Sequence, residues 1–182
     1  MFKTYLELIY FLLIIYLSLF YIKLFRNVVS QRRLTKSPIG FKSVKLERAI
    51  RAHANFCETV PINFFLSLLL YFNNLLIFAV PAMTILCIGR TIHAISISDV
   101  NEDLTQRRKG MRLTIFSIYI QLLGVLYYIF QLIYIFTKSL ERSIWLEMAE
   151  RKGFEPSIDV TTYNGLANRR LQPLGHLSIF IV

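Results

Sequence analysis

Little in this chain is made for water. Charged residues are 18% of the 182, against 55% hydrophobic and 14% aromatic, and the apolar residues stand in long blocks instead of alternating with polar ones. That excludes a soluble domain of ordinary composition, which carries about 25% charged residues. Cysteine is nearly missing. Cys57 and Cys87 both fall in apolar blocks, set out neither a disulfide framework nor a metal-ligand pattern, and read as small buried hydrophobes. No internal repeat is visible and no broken helix stands out beyond Pro81, which argues against a transporter or channel built from inverted repeats. The first apolar block lacks a small-residue cleavage site and is longer than a signal-peptide core, so it reads as a retained helix.

What is present is a set of spans. A helix rises about 1.5 Å per residue, so about 20 apolar residues cross the roughly 30 Å hydrocarbon layer. The sequence predicts four such helices, over about 5–25, 46–72, 75–98 and 111–137. The second and third are joined by a tight turn at Asn73-Asn74, and Pro81 falls in the second turn of the third, where a missing N–H is tolerable. The predicted class is all-α: an integral membrane four-helix bundle over 1–137. The tail, 138–182, is predicted to open with a short amphipathic helix, Ser139 to Arg151, and to be loosely ordered beyond Gly153. Its words "GFEPS" and "NGLANRRLQPLGHLS" resemble tails made when a reading frame runs on into a transfer-RNA gene. No role is assigned to residues beyond about Met148.

A net charge of +10 is of the kind nucleic-acid binders carry, but its distribution points elsewhere. Basic residues crowd the link between the first two spans (Arg26, Arg32, Arg33, Lys36, Lys42, Lys45) and the approach to the last (Arg107, Arg108, Lys109, Arg112). Under the positive-inside rule these two loops are cytoplasmic and both termini of the four-span unit face the other side. The basic balance is an orientation signal, attractive to anionic membrane lipid, with no nucleic-acid partner implied.

One segment breaks the lipid pattern. "ERAIRAHANFCETVP", Glu47 to Pro61, runs straight into the apolar "INFFLSLLLYF". On a helix at about 100° per residue, Arg48, Arg51, Asn55 and Glu58 fall near 0°, 300°, 340° and 280°, a stripe about 80° wide. The third span carries a shorter version, Arg90 and His93, one turn apart. An arginine facing mid-membrane lipid costs about 2.5–3.5 kcal/mol on insertion scales, so such groups survive where they face a bundle interior or a watery cavity. Two readings follow. The charges join helices, Arg51 pairing with Glu58 or Asn55 and Arg90 reaching the second span. Or the stripe grips a ligand that offers carboxylates to the arginines and an ammonium to Glu58. A small zwitterionic peptide such as glutathione has that chemistry.

The same residues resemble a known family. The pattern E-R-x-x-R-A-H-x-N-x-x-E, here Glu47, Arg48, Arg51, Ala52, His53, Asn55 and Glu58, is similar to the signature of the MAPEG family, the membrane-associated proteins of eicosanoid and glutathione metabolism. "GRTIHA" (Gly89 to Ala94) resembles that family's G-R-x-x-H, and "RRKGMRLT" (Arg107 to Thr114) resembles the start of the last helix in its bacterial members. The resemblance covers roughly Leu6 to Thr137. It implies a homotrimer in a bacterial inner membrane, with glutathione bound between subunits and a lipophilic small molecule as second substrate. Arg51, Asn55 and Glu58 would hold the peptide, with Arg48 and Arg90 near it and Arg26 reaching in from a neighbouring subunit. His93 would support the site. A cation near the sulfur is needed to populate the thiolate; Arg108 and Arg112 are the candidates. In catalytic eukaryotic members a tyrosine and an arginine stand where this chain has Ile97 and Met111, which admits an alternative: a binder of lipid or glutathione without turnover.

Overall fold

The structure is a computed structural model, and it describes residues 1–151. The chain divides into two compact units, Met1–Phe130 and Gln131–Val182. Four helices follow in order: α1 (Phe2–Thr35), α2 (Val44–Phe72), α3 (Leu76–Ser98) and α4 (Leu104–Arg151). Each is long and apolar enough to cross a membrane.

Their ends have local causes. α1 stops at Lys36, whose left-handed backbone (φ 51°) turns its N–H back to the carbonyls of Arg32 and Arg33. Arg32 then donates from Nη1 to the Pro38 carbonyl at 2.9 Å, pinning the turn. Ser43 caps α2: its hydroxyl accepts from the Leu46 N–H at 3.1 Å, and Glu47 adds a carboxylate to the first turn. α2 ends where Asn74 takes φ 58°, a conformation asparagine tolerates better than most residues, and Leu75 N–H returns to the Leu70 carbonyl at 2.8 Å. Asp103 starts α4 by accepting from the Thr105 N–H at 2.8 Å.

Several predicted boundaries need correction. α1 runs ten residues past Phe25 to Thr35, because nothing between Arg26 and Thr35 breaks a helix; basic residues end the lipid-soluble stretch without ending the helix. The link "DVNEDLTQRRKG" is mostly helical too. Only 99–103 is loop, so Arg107, Arg108 and Lys109 belong to α4. The amphipathic piece at 139–151 is part of α4 and not a separate element. The tail beyond Gly153 lies outside the described residues. A second proline, Pro61, sits inside α2. It removes the donor that the Cys57 carbonyl would otherwise receive and marks the change from polar stripe to apolar span.

Of the apolar stretches, that of α3 is the most enclosed, 56% buried against 22% for each of the others, so α3 is the element around which the bundle packs. Its contact with α4 is backbone to backbone. A Cβ on Gly110 would lie 2.7 Å from the His93 amide nitrogen, and one on Gly89 would lie 2.9 Å from the Gly110 carbonyl. In lipid, where no hydrophobic force drives helices together, such close approach is what small residues provide. Deeper in, buried polar groups join helices: Ser117 donates to Asn63 Oδ1 at 2.6 Å, and Tyr10 meets Ser67 at 3.0 Å. Gln121 is fully buried, and neither of its amide atoms has a partner among the described residues. Cys87 is buried as predicted; Cys57 is exposed, because its side of α2 faces outward.

Candidate functional site

A cleft of about 380 Å³ opens beside the first four turns of α2. It is lined by Glu47, Arg48, Arg51, Asn55 and Glu58 from α2, by Ile97 at the end of α3, by Glu102 from the 99–103 loop and by Arg107 from α4. The helical spacing explains the first group: residues three, four and seven apart share a face, so the stripe becomes one wall. The cleft balances three arginines against three glutamates, a mixed field suited to a ligand carrying both signs.

The arginines play different parts. Arg90 is buried, 2% exposed, and donates from Nη1 to Asn55 Oδ1 at 2.6 Å and to Thr59 Oγ1 at 3.0 Å. Its Nη2 lies 3.7 Å from the Met111 sulfur. Because Arg90 occupies the carbonyl end of the Asn55 amide, the amide nitrogen is left to donate elsewhere. Arg48 donates from Nη1 to the Ile97 carbonyl at 3.2 Å and to Glu102 Oε2 at 3.0 Å. The other oxygen of Glu102 accepts from Arg107 Nη1 at 2.8 Å. These contacts, Arg107 first, hold the Glu102 carboxyl below its ordinary range. Arg51 and Glu58 are exposed, and neither makes a hydrogen bond or ion pair among the described residues.

Of the sequence-derived candidates, Arg48, Arg51, Asn55 and Glu58 therefore come together in one cleft, with Arg90 directly behind Asn55. The suggested pairing of Arg51 with Glu58 or Asn55 is absent among the described residues; the pairing of Arg90 with α2 is present. His93 is buried at the Gly110 contact. His53, the signature histidine, turns away from the cleft and packs its ring 5.2 Å from Tyr21 of α1. Arg26 is exposed inside α1 and is not part of this wall. Arg108 is exposed and donates to the Leu104 carbonyl. Arg112 lines a second, largely apolar groove of about 630 Å³ with Ile92, Lys109, Leu113, Phe116 and Tyr119. Among the described residues no group of three or more His, Cys, Asp or Glu side chains could hold a metal.

Sequence reasoning missed Glu102 and Arg107 as cleft residues. The signal is faint: Glu102 is one of three acids, with Asp99 and Asp103, in a short link that reads as solvated loop, and Arg107 reads as part of the same loop.

Four helices long and apolar enough to cross a membrane, with a charged cleft beside the start of α2, define an integral membrane protein with a polar site. The sequence model of the MAPEG family matches residues 10–136, and the chain belongs to that family, one of membrane proteins associated in general with glutathione-dependent transferase and peroxidase chemistry. No curated protein matches the chain.

Proposed function

We propose that the cleft binds glutathione and that the protein is a transferase or peroxidase acting on lipophilic electrophiles drawn from the membrane. The observation that carries this reading is a pair of opposite charges, Arg51 and Glu58, on one wall of the cleft and without a hydrogen bond or ion pair among the described residues. Seven helical residues separate them by about 10.5 Å along the axis, and an extended tripeptide spans about 10 Å at roughly 3.3–3.6 Å per residue. Glu58 takes the ammonium, Arg51 the carboxylate at the far end, and the free nitrogen of Asn55 donates to the ligand between them. Arg90 holds Asn55, and His93 keeps α4 seated against α3.

The second substrate fits the apolar groove that carries Arg112, open to lipid. In the homotrimer we propose, a neighbouring subunit completes the site, with Arg26 reaching in from the end of its cytoplasmic half and Arg108 or Arg112 stabilising the thiolate. In conjugation the thiol proton passes to solvent, the sulfur forms a bond to carbon, and the leaving group departs with its electron pair. The chain lies in a bacterial inner membrane with its basic segments cytoplasmic. One pair of observations favours a second reading, binding without turnover: Ile97 presents only a carbonyl and an apolar side chain to the cleft, and Met111 places a thioether against Arg90.

Glutathione binding to the detergent-solubilised protein tests the first reading. It should be lost in Arg51→Ala and in Glu58→Ala. Conjugation of a chlorodinitrobenzene above background, reduced in Arg112→Ala, supports catalysis; tight binding with no turnover supports the alternative.

A further inference from the structure

We propose that Glu102 is a positioning residue, holding Arg48 and Arg107 side by side as a two-arginine seat for a single ligand carboxylate. The inference rests on the zwitterion reading of the cleft and deepens it.

Arg48 comes from α2 and Arg107 from α4, and two guanidinium groups left alone in one cleft repel. Glu102 sits between them and gives one oxygen to each, at 3.0 and 2.8 Å. Its side chain is only 13% exposed. The loop that carries it is tied on both sides: Ser96 donates to the Asp103 carbonyl at 3.0 Å, and Asp99 accepts from the Asn101 N–H at 2.9 Å. Glu102 is thus presented from a short, anchored connection.

The bridge leaves the arginines unsated. Each is held through Nη1 alone, although a guanidinium has five donors. Arg48 Nε is buried with no acceptor among the described residues, and so is Arg90 Nε, but of the two only Arg48 lines the cleft. A buried donor without a partner is uncommon in a finished structure, and here it lines a cleft that holds room for a guest. Two cations and one anion leave a net single positive charge, matched by one carboxylate. Arg48 stands one helical turn before Arg51, so the seat adjoins Arg51 and shares with it the carboxylate remote from the ammonium, Arg51 from one side and the bridged pair from the other. Glu102 therefore does not compete with the ligand; it keeps the seat assembled.

The test uses the full-length protein in detergent, comparing wild type with Glu102→Gln and Glu102→Asp. Two ligands are glutathione and its analogue with the glycine carboxylate converted to an amide; propionate, one carboxylate without an amine, is the third. Glu102→Gln should weaken glutathione on the order of tenfold, the loss of one charge-assisted contact set, with partial recovery in Glu102→Asp. The amide analogue should bind weakly and respond little to Glu102→Gln. Propionate should raise the melting temperature of wild type and not that of Glu102→Gln. Equal or tighter glutathione binding in Glu102→Gln overturns the proposal, since it makes Glu102 an internal competitor. An equal loss for glutathione and its amide overturns it as well. If wild type ignores glutathione, the zwitterion reading fails, while the propionate comparison still decides whether Glu102 builds a carboxylate seat.

Discussion

Arg90 and Arg51 are the same residue type, on two helices of one bundle, on either side of Asn55. Their surroundings are opposite. Arg90 is enclosed and gives Nη1 to Asn55 and Thr59 and Nη2 to Met111, leaving only Nε without a partner among the described residues; Arg51 is exposed to the cleft and bonds to nothing among the described residues. A buried arginine must be satisfied from within, because an uncompensated charge in low dielectric is expensive. An arginine at a watery mouth can wait for a ligand. Charge in a membrane helix is therefore not one signal but two, and accessibility separates them.

The sharpest way to break this contrast is to remove Arg90. Arg90→Ala should destabilise the bundle by about 3 kcal/mol, through the cavity and the abandoned Asn55 and Thr59 contacts. Thermal unfolding in detergent reads it, and an unchanged melting temperature would show that Arg90 is not structural. Gly110→Ala probes the same inner region without touching a charge. Its methyl would meet the His93 backbone at 2.7 Å, so a cost of about 1–3 kcal/mol is expected from overpacking. Arg51→Ala is the mirror image. It should leave stability within about 0.5 kcal/mol, as exposed substitutions do, yet cost at least about 1.4 kcal/mol of glutathione affinity, a factor of ten by calorimetry. A variant that loses stability and binding together would erase the distinction between the two arginines.

The smallest effect is on pH. The Glu102 carboxyl is lowered from its ordinary value, chiefly by Arg107 and then by Arg48. A lowered carboxylate stabilises fully above its unfolded pKa, about 4.3, and that contribution fades only as pH falls through the lower folded value. Stability between pH 5 and 8 should therefore be indifferent to Glu102. A small acid-side decline below pH 4 should disappear in Glu102→Gln. A decline centred near neutrality would implicate some other group.

Much of this was legible in the chain. The four spans follow from long apolar blocks, and the shared face of Arg48, Arg51, Asn55 and Glu58 follows from helical spacing alone. The helix ends were less legible. Basic residues at 26–35 and 104–110 resemble loop because they leave the membrane, but a helix needs no lipid to continue, and no proline or glycine run stops it there. Pro61 marks the end of the polar segment in the sequence, but the apolar run continues straight past it and so does the helix. The motif glycines read as family markers, whereas their physical reason is a backbone contact between α3 and α4 that no single segment reveals.

Local sequence, then, determined which segments are helical and apolar enough to cross a membrane, and which side chains share a face of α2, because both depend on residues within a few turns of one another. Only the tertiary structure decided which charges are spent and which are free. That depends on Glu102 meeting Arg48 across 54 positions and Arg90 meeting Asn55 across 35, and burial and partnership over such distances belong to packing, not to pattern.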